Sequence, residues 1–152
     1  MNAGKRLAGL RTNAFAALVG LLVAFVLGTT LYGQVPPDAQ GRGTFGAFGE
    51  AITTGPVLLI LHAVVGTLIV VSAATVVIRA ALLRRPAFIV LSSAALVAVL
   101  LAWFAGSVFT DTLATGAARA MEWSTAVALL LYAIVLFIRV PMDGADQKGQ
   151  TL

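Results

Sequence analysis

Read for hydrophobic and polar positions, the chain falls into four long apolar runs joined by shorter polar connections. The runs cover about 14–33, 56–78, 86–109 and 121–139. Each is long enough to cross the hydrocarbon core of a bilayer, which takes about 20 residues. None carries an Asp, Lys or Arg in its interior. Lipid offers a backbone N–H or C=O no hydrogen-bonding partner, so each run is expected to be helical. Pro56 and Pro86 open the second and third runs, where a missing N–H costs nothing, and Pro141 follows the fourth. Tyr32 and Trp123 lie near run ends, where amphipathic rings favour the interface. The connections read as an outer loop over 34–55, a short inner turn in "RAALLRRP", a second outer loop from Thr110 to Ala120, and a polar cytoplasmic tail over 140–152. The expected fold is all-α: an integral membrane four-helix bundle running up-down-up-down, as one domain.

Composition agrees with this pattern. Of 152 residues, 60% are hydrophobic and 11% charged, against roughly 25% charged in soluble domains. There is no cysteine, which removes disulfides, thiolate metal sites and cysteine nucleophiles. The formal net charge of +4 does not gather on one face. The basic residues stand at run ends and suit lipid headgroups, so nucleic acid is not an expected partner.

The placement of those charges gives an orientation. Lys5, Arg6, Arg11, Arg79, Arg84, Arg85, Arg139 and Lys148 fall on one side, and Arg42 and Arg119 on the other. The positive-inside rule then places both termini in the cytoplasm, with Asp38, Glu50, Asp111 and Glu122 outside. The first run is too long for a signal peptide and no A-x-A site follows it, so it is expected to remain as a helix. A composition rich in Ala, Val, Leu and Arg suits a bacterial plasma membrane.

Small residues are frequent within the runs: Gly20 and Gly28 in the first, Gly66, Ser72, Ala73 and Ala74 in the second, and Ser92, Ser93, Ala94 and Ala95 in the third. They let helix backbones approach closely. The hydroxyls of Ser72, Thr75, Ser92 and Ser93 are expected to bond their own helix or a neighbour. The runs contain no G-x-x-x-G and no internal repeat of the inverted-transporter kind.

The chemistry concentrates on His62, the chain's one histidine, in "ILHAVVGTL". It is the seventh residue of the second run, roughly 9–10 Å below the outer end. Gly66 follows one turn later and leaves a gap in the same face. The candidate ligand-binding set is His62, Gly66, Trp103, Met121 and Glu122, with Phe104 a further packing partner. Met121 and Glu122 are read as opening the fourth span, one to two turns nearer the surface than His62. In helix count the chain is similar to small four-helix membrane haem proteins such as the haem A synthase type. That resemblance implies paired histidines on two helices, and here there is one. Haem b on His62, with Met121 as second ligand, is therefore an open cofactor alternative. Phe45 and Phe48 in the long outer loop are read as dipping into the headgroups or capping the bundle mouth.

No catalytic constellation appears. H-E-x-x-H is absent, "GRGTFGAFGE" lacks the G-K-[ST] of a phosphate loop, and zinc needs more ligands than the chain offers. Three functions remain in view. The first is a non-enzymatic accessory or packing subunit of a larger membrane complex, with a membrane-protein partner or a homo-oligomer. The second is a membrane redox or ligand-binding protein holding haem, quinone or another flat apolar ligand near His62. The third is a small transporter using His62 and Glu122.

Overall fold

The computed structural model describes residues 3–31 and 34–138. Tyr32, Arg139, Pro141, Lys148 and the expected tail over 140–152 lie outside the described residues. Within them the chain forms α1 (Ala3–Thr30), a 3-10 turn (Pro37–Ala39), α2 (Thr44–Thr53), α3 (Val57–Leu83), α4 (Pro86–Thr112) and α5 (Thr115–Phe137). Four of these helices, α1, α3, α4 and α5, are long and apolar enough to cross a membrane. They pack in the ring order α1, α3, α4, α5, with α4–α5 the longest seam and α1–α5 the shortest. Successive members run in opposite directions, so α3 and α5 are diagonal across the bundle.

Alanine makes up much of what turns inward, and large aliphatic side chains much of what turns outward. Ala14, Ala73, Ala80, Ala95 and Ala128 are fully buried, whereas Leu68, Val71, Ile78, Val90 and Leu130 are exposed. A soluble bundle reverses this distribution, because water drives its large side chains inward. In lipid both faces are equally oily, and close backbone packing on small residues associates the helices. The chain is a small multi-pass membrane protein by the length and composition of these helices.

The helices outrun the expected spans. Each of α3 and α4 has 27 residues, about 40 Å at 1.5 Å per residue, against a hydrocarbon core of about 30 Å. The inner turn therefore shrinks to Arg84 and Arg85, and most of the expected second outer loop is helical, leaving only Leu113 and Ala114. Arg84 and Leu113 close these tight turns in the left-handed conformation, each with φ of 54°. Threonine hydroxyls sustain the extension of α4: Thr110 and Thr112 donate to the carbonyls of Gly106 and Val108.

The expected long outer loop also needs correction, since it holds α2. This short helix buries Ala47 and Ala51 and lies across α3 and α4. Asp111 anchors its start: its carbonyl accepts from Gly41 N–H at 3.1 Å and its Oδ1 from Gly43 N–H at 3.0 Å. Both glycines have φ near 75°, a conformation costly for residues with a Cβ. At the other end of α2, a Cβ on Gly55 would strike the Ala51 carbonyl oxygen.

The opposite end of the bundle is rich in arginine and closed. Arg6 Nη1 donates to the Leu82 carbonyl and Arg11 Nη2 to that of Ile138, both at 3.0 Å. These guanidiniums meet carbonyls at the ends of α3 and α5 that have no partner inside the helix. Leu10, Val76, Phe88, Tyr132 and Val135 fill the adjoining core, each at most 2% exposed. Ser92 is a correction within this half. Its Oγ and the Tyr132 hydroxyl are buried without a hydrogen-bond partner among the described residues. Thr75 does bond back to its own helix, at the Val71 carbonyl.

Candidate functional site

At the loop end the four long helices separate around a cavity of ≈ 390 Å³. That lies within the roughly 300–1,000 Å³ usual for small-molecule sites. His62, Gly66, Trp103, Met121 and Glu122 all line it. Phe104 does not: it faces outward, half exposed.

The expected depth of two of these residues needs correction. Helix α5 begins at Thr115, so Met121 and Glu122 are its seventh and eighth residues rather than its opening ones. His62 is the sixth residue of α3. The three therefore lie at similar depths, because residues 115–120 continue the helix instead of looping.

His62 is received by α1. A Cβ on Gly28 would lie 3.1 Å from His62 Cε1, so the absence of a side chain there is what admits the ring. The Ala24 carbonyl, one turn away, interacts with the imidazole. Nδ1 is buried with no hydrogen-bond partner among the described residues. Gly66 has a different occupant from the one its spacing suggests: it faces the indole of Trp103, whose Cδ1 would stand 3.9 Å from a Cβ there.

Trp103 is held from above by α2. The Phe48 ring sits 4.8 Å from it, centroid to centroid and tilted by 57°, a favourable aromatic arrangement. Phe45 stands farther off, at 6.5 Å, and is 74% exposed. Phe48 thus caps the bundle mouth and Phe45 points outward. The Trp103 Nε1–H, like His62 Nδ1, is buried without a partner among the described residues.

The remaining polar lining is already committed. Ser107, Thr110 and Thr125 donate to their own helices, at the carbonyls of Trp103, Gly106 and Met121. The Met121 sulfur packs on Gly106, 3.1 Å from where a Cβ would stand. The one residue of the lining that ordinarily carries a full charge is Glu122, which is exposed. Among the described residues no three His, Cys, Asp or Glu side chains cluster to hold a metal ion. The iron of a haem could draw only on His62 and Met121, which approach from the diagonal helices α3 and α5. No Lys or Arg in the lining would meet its propionates.

The sequence already offered Phe48 as a cap of the bundle mouth and Gly28 as a small packing residue, but it connected neither Gly28 nor Ala24 with His62. An isolated glycine within an apolar run was the one available signal, since such a residue commonly marks close packing. Comparison with protein-family models, with curated proteins and with solved structures finds no match.

Proposed function

We propose that this protein is a membrane-embedded binding protein for a neutral, flat, largely apolar molecule bearing a hydrogen-bond acceptor. A quinone head is the class that fits. One observation carries this reading: the indole N–H of Trp103 and Nδ1 of His62 are both buried, both without a hydrogen-bond partner among the described residues, and both residues line the same apolar cavity. Each unmet buried polar atom costs about 1–3 kcal/mol. A carbonyl oxygen accepting from Trp103 would recover that cost on one side, and His62 in its Nδ1–H tautomer would donate to a second acceptor on the ligand. The cavity's charge selects against anions, because Glu122 is its only ordinarily ionised side chain.

This geometry favours binding over the other two roles. A subunit kept only for packing gains nothing from unmet polar atoms around a cavity. A transporter needs a route to the far side, whereas the arginine-rich half is filled by buried side chains. The site belongs, on this reading, to the outer half of a bacterial plasma-membrane protein with both termini cytoplasmic. Six basic residues at the arginine-rich end, Lys5, Arg6, Arg11, Arg79, Arg84 and Arg85, support that orientation. Labelling of Gly49→Cys by an impermeant maleimide on intact cells tests it, and labelling only after lysis would reverse it.

The binding test uses the protein in lipid nanodiscs with tail-less dimethoxy-methyl-benzoquinone as probe. Retention above that of protein-free nanodiscs, lost in His62→Ala and Trp103→Phe, is expected. An equal level in all samples would defeat the reading. A Soret band in the purified protein, abolished by His62→Ala, would replace quinone with haem.

A further inference from the structure

The cavity's lining differs sharply in exposure from one wall to another. Phe25 and Thr29 on α1 and Glu122 on α5 are exposed. Every lining residue outside these two helices is buried or half-buried. The exposed part of the lining thus lies on α1 and α5, which puts the side opening at the α1–α5 seam. The end of the bundle is covered by α2, through Phe48 and the buried Ala51. Farther along, the same seam is shut by Leu10, Ala14, Ala128 and Val135, with Arg11 bonded to the Ile138 carbonyl.

Depth decides what the opening faces. Phe25 lies five residues before the end of α1, about 7–8 Å along the axis. Glu122 lies seven residues into α5, about 10 Å along. Both belong to helices long and apolar enough to span a membrane, so the opening is on the side of the bundle and faces lipid. A ligand arriving this way must already be dissolved in the bilayer.

We infer that the cavity takes a tailed amphiphile from the membrane through the α1–α5 seam, with its flat head beside Trp103 and its hydrocarbon tail passing between Phe25 and Glu122 into lipid. The inference rests on the cavity being a ligand site and adds the route and the tail. An aqueous solute would have to pass the α2 cover or enter through hydrocarbon. A tailed lipid needs neither, since its tail stays in the bilayer hydrocarbon outside the lip. Glu122 stands at the lip, where a carboxylate within a spanning helix marks a functional position rather than a packing one.

The chain has no cysteine, so Thr29→Cys gives a single thiol at the lip. It can be capped with a bulky methanethiosulfonate and uncapped with dithiothreitol. Leu68→Cys, on an exposed face of α3 away from the cavity, is the control. The probes are dimethoxy-methyl-benzoquinone without a tail and with a decyl tail, each measured in nanodiscs against protein-free discs. Capping Thr29→Cys is expected to lower retention of the tailed probe about tenfold, equivalent to about 1.4 kcal/mol. Uncapping should restore it, the tail-less probe should be unaffected, and the Leu68→Cys control should not respond. Unchanged retention of the tailed probe after capping would overturn the route, as would equal loss of both probes. Failure of the uncapped protein to hold either probe would instead remove the ligand site itself, and the route with it.

Discussion

Gly28 of α1 and His62 of α3 meet as a socket and its occupant: a Cβ on the glycine would lie 3.1 Å from His62 Cε1, tighter than ordinary contact. The imidazole's place is thus set by a missing side chain on a different helix. Gly28→Leu should drive the ring from its position and fill part of the cavity, lowering retention of the tail-less quinone about tenfold. Helical content by circular dichroism should not change. Undiminished retention would show that the ring's position does not matter to the site.

The hold of Asp111 on the start of α2 predicts a proteolytic phenotype. Its carboxylate accepts from Gly43 N–H beside Arg42, an exposed residue paired with Glu50 at 3.2 Å. Asp111→Ala should weaken α2 docking by about 1 kcal/mol, below the roughly 1.5–3 kcal/mol of a buried bond to a charged group because the site is exposed. The undocked population then rises about fivefold. Trypsin cleavage after Arg42 in nanodiscs should quicken by a similar factor relative to the parent protein digested in parallel. An unchanged cleavage rate would mean that α2 is held by its buried alanines and Phe48 alone.

Tyr132 separates ring packing from the hydroxyl. Its side chain is fully buried, and its OH has no partner among the described residues. Tyr132→Phe keeps the ring and removes the unmet polar atom, so the thermal midpoint in detergent should rise, by the equivalent of about 1 kcal/mol. Tyr132→Ala should lower stability by about 3–5 kcal/mol through the cavity it leaves. A fall in both variants would mean that the hydroxyl is satisfied in the folded protein.

Much of this architecture was legible in the sequence, for reasons that differ by element. The four spans were readable because lipid demands long uninterrupted apolar runs, and the orders of charge at their ends marked the two sides. Helix α2 was not. "TFGAFGEAIT" contains two glycines and shows no side-chain cap, so local propensity argues against it. It exists because Ala47, Phe48 and Ala51 bury against α3 and α4, a gain that only the assembled bundle supplies. The C-terminal end of α4 was hidden by Thr110 and Thr112, whose hydroxyls serve their own backbone, and the start of α5 by the polar and flexible residues Thr115, Gly116 and Arg119. For the site, the spacing of His62 and Gly66 was visible along one helix. Trp103 could be placed with them by its depth in the third run, but the pairings of His62 with Gly28 and of Gly66 with Trp103 depend on the register between helices, which no single-helix pattern encodes.

The central claim is that His62 and Trp103 together hold a ligand head, and Trp103 can report on it directly. In a Trp123→Phe background Trp103 is the only tryptophan. Its fluorescence in nanodiscs should be quenched by tail-less benzoquinone along a saturating curve, and His62→Ala should shift that curve to at least about tenfold higher quinone. Linear, unsaturable quenching that is the same with and without His62 would contradict the account.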